Sequence, residues 1–214
     1  MRAGLFLERK GYKMSDIVEY KSNNFYHFKQ IVNSMASLLK DYCKHRYWED
    51  CPYFYTERSN VGLFSSAAIK TNDWISIEEF TVTRRRVGTG RCDLYMKNIR
   101  NKDHPGYIIE TKKTETKSVD RISRMLESAC RDVGKISTGD AGDSVRVGIV
   151  FVVPPTKNDP EDNLINDLIK KFDSVACDFS SHIYLDCFRD QTGFGRYSGT
   201  YYPGISIFGK NIRI

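Results

Sequence analysis

Residues 90–113 read GRCDLYMKNIRNKDHPGYIIETKK. Residues 91–96 and 107–113 have the β-branched and aromatic character of strands, and the polar KNIRNKDHPG between them has that of a connection. Each run carries one acidic residue among apolar neighbours, Asp93 and then Glu110, with Lys112 two positions further on. Carboxylates are depleted from strands and costly to bury, so each needs a partner. A metal ion and solvent are the two candidates.

Side chains alternate along a strand, so Glu110 and Lys112 point one way, roughly 6.5–7 Å apart, and Thr111 the other. By the same rule Arg91, Asp93 and Tyr95 share a face, and Cys92, Leu94 and Met96 share its opposite. A hairpin of the two strands can set Asp93 beside Glu110. Two carboxylates so placed repel, and one takes up a proton unless a cation sits between them. A divalent ion meets that need, since Mg²⁺ is commonly held by one or two carboxylates and keeps waters for phosphate oxygens. A lysine beside a metal-bound water can orient it or help deprotonate it, and the metal stabilises charge on a phosphodiester.

Working outward, Phe25, Phe28, Ile31, Val32, Met35, Leu38, Leu39 and Tyr42 recur at helical steps and predict an amphipathic helix ended by Pro52. TERSNVGLFSSAAIKTND predicts a second helix, capped by Thr56 or Ser59. WISIEEFTVTRRR predicts the first strand, with a glycine turn, VGTG, before the strand that holds Asp93. After Lys113, Ile122, Met125, Leu126, Ala129, Val133 and Ile136 mark a third helix. SVRVGIVFVV is nearly all apolar, as in a strand covered on both faces. A helix opening at Pro160, a strand at HIYLDCF and, in the Gly- and Tyr-rich tail, a short strand at GISIF complete the reading. The expected architecture is α/β, a three-layer sandwich around a central mixed sheet.

These motifs resemble the PD-(D/E)XK signature of the restriction-endonuclease-like nucleases: sixteen residues separate Asp93 from the ETK of 110–112. The resemblance covers about half the chain and implies a core of helix, three-strand meander, helix and strand. Length and composition fit one domain over 1–214, which the resemblance divides into an N-terminal helical extension (1–55), an αβββαβ catalytic core (56–153) and a C-terminal elaboration (154–214). The resemblance further implies a Mg²⁺-dependent deoxyribonuclease, with Mn²⁺ able to substitute, that leaves a 5′-phosphate. Asp93 and Glu110 resemble the metal-binding carboxylates, the Thr111 carbonyl a further ligand, and Lys112 the catalytic lysine. Glu57 resembles the supporting helix glutamate, with Glu78 and Glu79 as rivals. RCD stands where the family often has Pro-Asp.

The formal net charge of +6 agrees with a polyanionic partner and equally with an ordinary basic protein. Arg91 and Arg86 near the Asp93 turn, Lys113 at the strand exit, and Arg121 and Arg124 on the third helix are the expected nucleic-acid contacts. Phe194, Tyr197, Tyr201 and Tyr202 suit tail packing better than base stacking. The six cysteines show no CxxC spacing, as expected of reduced thiols in the cytoplasm. No segment has the length of a membrane span. Translation starting at Met14 would leave 1–13 uninformative. A homodimer would supply two sites for two cuts on a duplex, though no residue marks one. The alternative function is a non-catalytic nucleic-acid-binding or assembly subunit with the same fold.

Overall fold

The computed structural model describes residues 4–6, 14–20, 25–46, 50–85, 88–157, 162–185, 196–197 and 200–212. Two strands, β1 (Gly4–Phe6) and β2 (Met14–Tyr20), precede the long helix α1 (Phe28–His45). A 3-10 turn (Pro52–Phe54) then leads into α2 (Glu57–Lys70). The Thr56 hydroxyl accepts the Ser59 N–H at 3.2 Å, which makes Thr56 the cap. The meander β3 (Trp74–Arg84), β4 (Gly88–Asn98) and β5 (Tyr107–Thr114) follows, then α3 (Val119–Gly134), the single turn α4 (Thr138–Ala141) and β6 (Val145–Val152). The chain closes with α5 (Asp162–Phe172), β7 (Phe179–Leu185), the small pair β8 (Arg196–Tyr197) and β9 (Thr200–Tyr201), and β10 (Gly204–Ile212).

Eight strands form one mixed sheet in the order β1-β2-β7-β10-β6-β5-β4-β3. β5 and β6 are parallel, joined by the α3 crossover, and the other neighbours are antiparallel. β6 explains why the sheet is covered on both sides. Its Val147, Ile149 and Phe151 pack with Phe28, Ile31, Met35 and Phe64 of α1 and α2. Its Val150 and Val152 pack with Ile122 and Leu126 of α3 and with Leu168 and Phe172 of α5. Gly148 permits the close approach of α3, because a Cβ there would meet the Cys130 nitrogen at 2.6 Å.

Two regions differ from the sequence expectation. Residues 1–55, expected to be helical, also supply β1 and β2, which pair on the outer side of β7. The expected short strand at GISIF is the nine-residue β10, held between β6 and β7 at the middle of the sheet. Gly204 lies so close to β7 that a Cβ would meet the Ile183 carbonyl at 2.2 Å. Pro160, Phe194 and the side chain of Tyr197 lie outside the described residues. Among the described residues, no helix is long and apolar enough to cross a membrane.

Candidate active site

β4 and β5 pair only at Leu94–Ile109, Tyr95–Ile108 and Met96–Tyr107, and beyond Leu94 they part. Backbone donors of β5 that face the gap are then taken by side chains. Asp93 Oδ2 accepts the Thr111 N–H at 2.7 Å and the Thr111 hydroxyl at 2.9 Å. Two residues on, Glu57 Oε2, in the first turn of α2, accepts the Lys113 N–H at 2.8 Å. Carboxylates thus replace the missing strand, as buried N–H groups require. A strand residue's N–H and C=O face the same edge, so the Thr111 carbonyl is turned to the same gap.

The alternation expected along β4 reverses at this point. Leu94 and Met96 pack with Ile109 on the α1/α2 side, whereas Cys92 packs with Val82 and Ile108 on the α3 side. The physical cause lies on β3. Register runs from Glu78–Leu94 to Phe80–Cys92, and between them Glu79 takes φ +50°. That left-handed residue breaks the pleat and changes which face each later side chain meets.

A cleft of about 460 Å³ opens at the parting, lined by the acids Glu79, Asp93, Glu110 and Asp132 and the bases Arg84, Arg91 and Lys112. Glu110 is 4 % exposed. Burial, then the charge of Asp93, pushes its carboxyl up to about 7, against the opposing pull of Arg84 and Lys112. Arg84 Nη2 holds Glu110 Oε1 at 2.5 Å and also donates to the Arg91 carbonyl, while its Nη1 donates to the Asp132 carbonyl at 3.0 Å. Lys112 Nζ pairs with Asp132 Oδ2 at 3.1 Å. Burial works to lower the Lys112 pKa, but Asp132, with Glu57 and Asp93, raises it overall, so the ammonium is kept charged. Burial raises the Glu57 carboxyl, with Lys112 pulling it back.

Of the residues expected in the site, Asp93, Glu110, Lys112 and Arg91 line this cleft, and Glu57 touches the adjacent strand. Glu79, not Glu78, is the rival acid that reaches the cleft; Arg58 holds it at 3.0 Å and Arg91 at 3.1 Å. Arg91 therefore pairs with Glu79, rather than with Asp93 or Glu110. Lys113 is directed elsewhere: its ammonium donates to the Phe54 carbonyl and to Glu115, both at 2.7 Å, and lies over the Phe54 ring. Arg121 and Arg124 are exposed on α3, eleven and eight positions before Asp132, roughly 16 and 12 Å along the helix axis. Neither lines the cleft. Arg86 lies outside the described residues.

Arg84 and Asp132 also line the cleft, and sequence reasoning missed both. Asp132 borders the buried stripe of α3 (Ile122, Leu126, Ala129, Val133), and that boundary position was its one signal. Arg84 carried none beyond its place in an arginine run.

The donor set suits a divalent cation. Among the described residues, Asp93 Oδ1 and Glu110 Oε2 have no hydrogen-bond partner, and the Glu110 carboxyl is raised by burial first and by the charge of Asp93 second. Two carboxylates and a carbonyl match Mg²⁺, which retains several waters. Among the described residues no three His, Cys, Asp or Glu side chains converge as a fuller ligand cage. Compared with protein-family models, curated proteins and solved structures, the chain matches none.

Proposed function

We propose that the protein is a divalent-metal-dependent nuclease of the PD-(D/E)XK type acting on DNA, with residues 56–153 as a restriction-endonuclease-like core. The observation that carries this reading is that Asp93 and Glu110, from adjacent strands, line one cleft with Lys112. The succession α2, β3–β5, α3 and β6 has the order such a core requires.

Asp93, Glu110 and the Thr111 carbonyl would hold Mg²⁺ or Mn²⁺. Such an ion, when bound, supplies Lewis acidity toward a phosphodiester and a water of lowered pKa. The chain's own groups do the rest. Arg84 occupies one Glu110 oxygen and leaves the other for ligation. Lys112, kept protonated by Asp132, donates hydrogen bonds and does not accept a proton, so it orients a water or holds a phosphate oxygen. Arg91, exposed at the cleft, offers a planar fork to a backbone phosphate once that phosphate displaces Glu79. Cutting both strands of a duplex would call for two such sites, which a homodimer supplies.

A non-catalytic DNA-binding subunit is the alternative. It is favoured by the engagement of Glu110 with Arg84 and of Lys112 with Asp132, which offsets charge without an ion. Incubation with linear, circular and single-stranded DNA and with RNA, with and without Mg²⁺ or Mn²⁺, separates the two. The nuclease gives metal-dependent cleavage that disappears in Glu110→Gln and Lys112→Ala proteins that still retain DNA. No cleavage of any substrate, with salt-dependent retention on DNA, assigns the binding subunit.

A further inference from the structure

Residues 83–85 at the end of β3 run beside residues 135–137, which link α3 to α4. The Arg85 N–H donates to the Lys135 carbonyl at 2.7 Å, and the Ser137 N–H to the Thr83 carbonyl at 2.8 Å. Arg84 and Ile136 form a bridge between them. Arg146, on β6, reaches the same linker: its Nη2 points at the carbonyls of Ile136 (3.5 Å) and Ser137 (3.3 Å). Arg146 is only 8 % exposed, and its buried Nε has no hydrogen-bond partner among the described residues.

Neither Arg146 nor Arg85 has an ion pair with a carboxylate among the described residues. Asp140, in the adjacent α4, commits its Oδ2 to the Thr83 N–H at 2.6 Å and to the Ser137 hydroxyl at 2.8 Å. Burial lowers the Arg146 pKa, and among the described residues the neighbouring charge that acts on it is a second cation, Arg85. A guanidinium withdrawn from water without a carboxylate partner is costly to keep charged unless an anion joins it.

We propose that Arg85 and Arg146 form a phosphate-binding site separate from the carboxylate cleft. Arg146 is the anchored half, its fork aligned by two carbonyls. Arg85, exposed, is the accessible half. A guanidinium pair matches the oxygens of phosphate with parallel donors. The phosphate has two sources, a nucleic-acid backbone and free inorganic phosphate. The backbone is favoured by position, because Arg84, the residue before Arg85, reaches into the cleft to Glu110. One strand end would then serve two points along a polynucleotide.

The test follows thermal unfolding of the full chain in rising sodium phosphate against sodium chloride at equal ionic strength. The expected result is a Tm that climbs with phosphate beyond chloride. The climb is lost in Arg85→Gln, an exposed position with little folding penalty, and kept in Arg100→Gln, an exposed arginine outside the cleft. Arg146→Lys keeps the charge and loses the fork, and should shift the phosphate titration to several-fold higher concentration. Metal-free binding of duplex DNA over a range of salt then separates the sources. Arg85→Gln lowers the salt slope by about one if a backbone phosphate occupies the site, and leaves it unchanged if free phosphate does. Equal effects of phosphate and chloride, or loss of the climb in Arg100→Gln but not Arg85→Gln, would overturn the site. The titration contains neither metal nor substrate, so its outcome is independent of whether the protein cleaves DNA.

Discussion

Asp93 Oδ2 accepts the backbone N–H of Thr111 at 2.7 Å, so a side chain from β4 finishes the edge of β5 where the two strands separate. One carboxylate therefore has a structural oxygen and a second oxygen left for ligation.

Asp93→Ala strands the buried Thr111 N–H and should cost about 1–3 kcal/mol of stability in urea denaturation. Asp93→Asn keeps an acceptor for that N–H and should lose well under half as much, while abolishing the proposed metal-dependent cleavage. Equal destabilisation by the two variants would show that the Thr111 bond contributes nothing.

Arg84 and Glu110 are both largely withdrawn from water, so their bond should register in a double-mutant cycle. Arg84→Gln, Glu110→Gln and the double variant, compared by denaturant unfolding, should give a coupling of about 1–3 kcal/mol. A coupling near zero would mean that the pair does not form in solution.

Glu79 occupies φ +50°, a conformation that glycine adopts without strain. Both Glu79→Gly and Glu79→Ala remove the exposed pairs to Arg58 and Arg91, so their difference isolates the backbone. Glycine should be the more stable of the two by about 1 kcal/mol, the reverse of the order in an ordinary strand. Thermal unfolding of the two proteins side by side decides it.

His182 lies under α5, its Nδ1 2.9 Å from the Ser206 hydroxyl, and burial pushes its pKa from 6.5 down to about 4. The folded protein refuses a proton that the unfolded chain accepts. The stability due to neutral His182 is thus complete above pH 6.5 and is lost as pH falls toward 4, by about 3 kcal/mol. His104 adds in the same direction: burial, then His27 and Lys97, lower it to about 4. His182→Gln should therefore flatten part of the acid limb of a stability–pH curve. An unchanged acid limb would exclude His182 as a contributor.

The amphipathic stripe of α3 and the doubly apolar β6 are legible along the chain because a helix face and a buried strand are local periodicities. Asp93, Glu110 and Lys112 stand out for a related reason, since charge inside an apolar run conflicts with its surroundings. β10 is legible only in part, as the short GISIF run: glycines depress its strand character, yet at Gly204 the absence of a side chain is what lets β7 approach. Its central place depends on pairing with strands far away in sequence, which no local pattern encodes. The same holds within the site. Alternation predicts Lys112 beside Glu110, but the reversal between Leu94 and Cys92 on β4 comes with one left-handed residue, Glu79, on another strand. Arg84 meets Glu110 across 26 positions, and Lys112 meets Asp132 only once the crossover helix is laid on the sheet. Sequence alone determined which segments bury which faces and where charge sits at odds with them. Tertiary structure decided which charges meet, because an ion pair depends on separation in space and not along the chain.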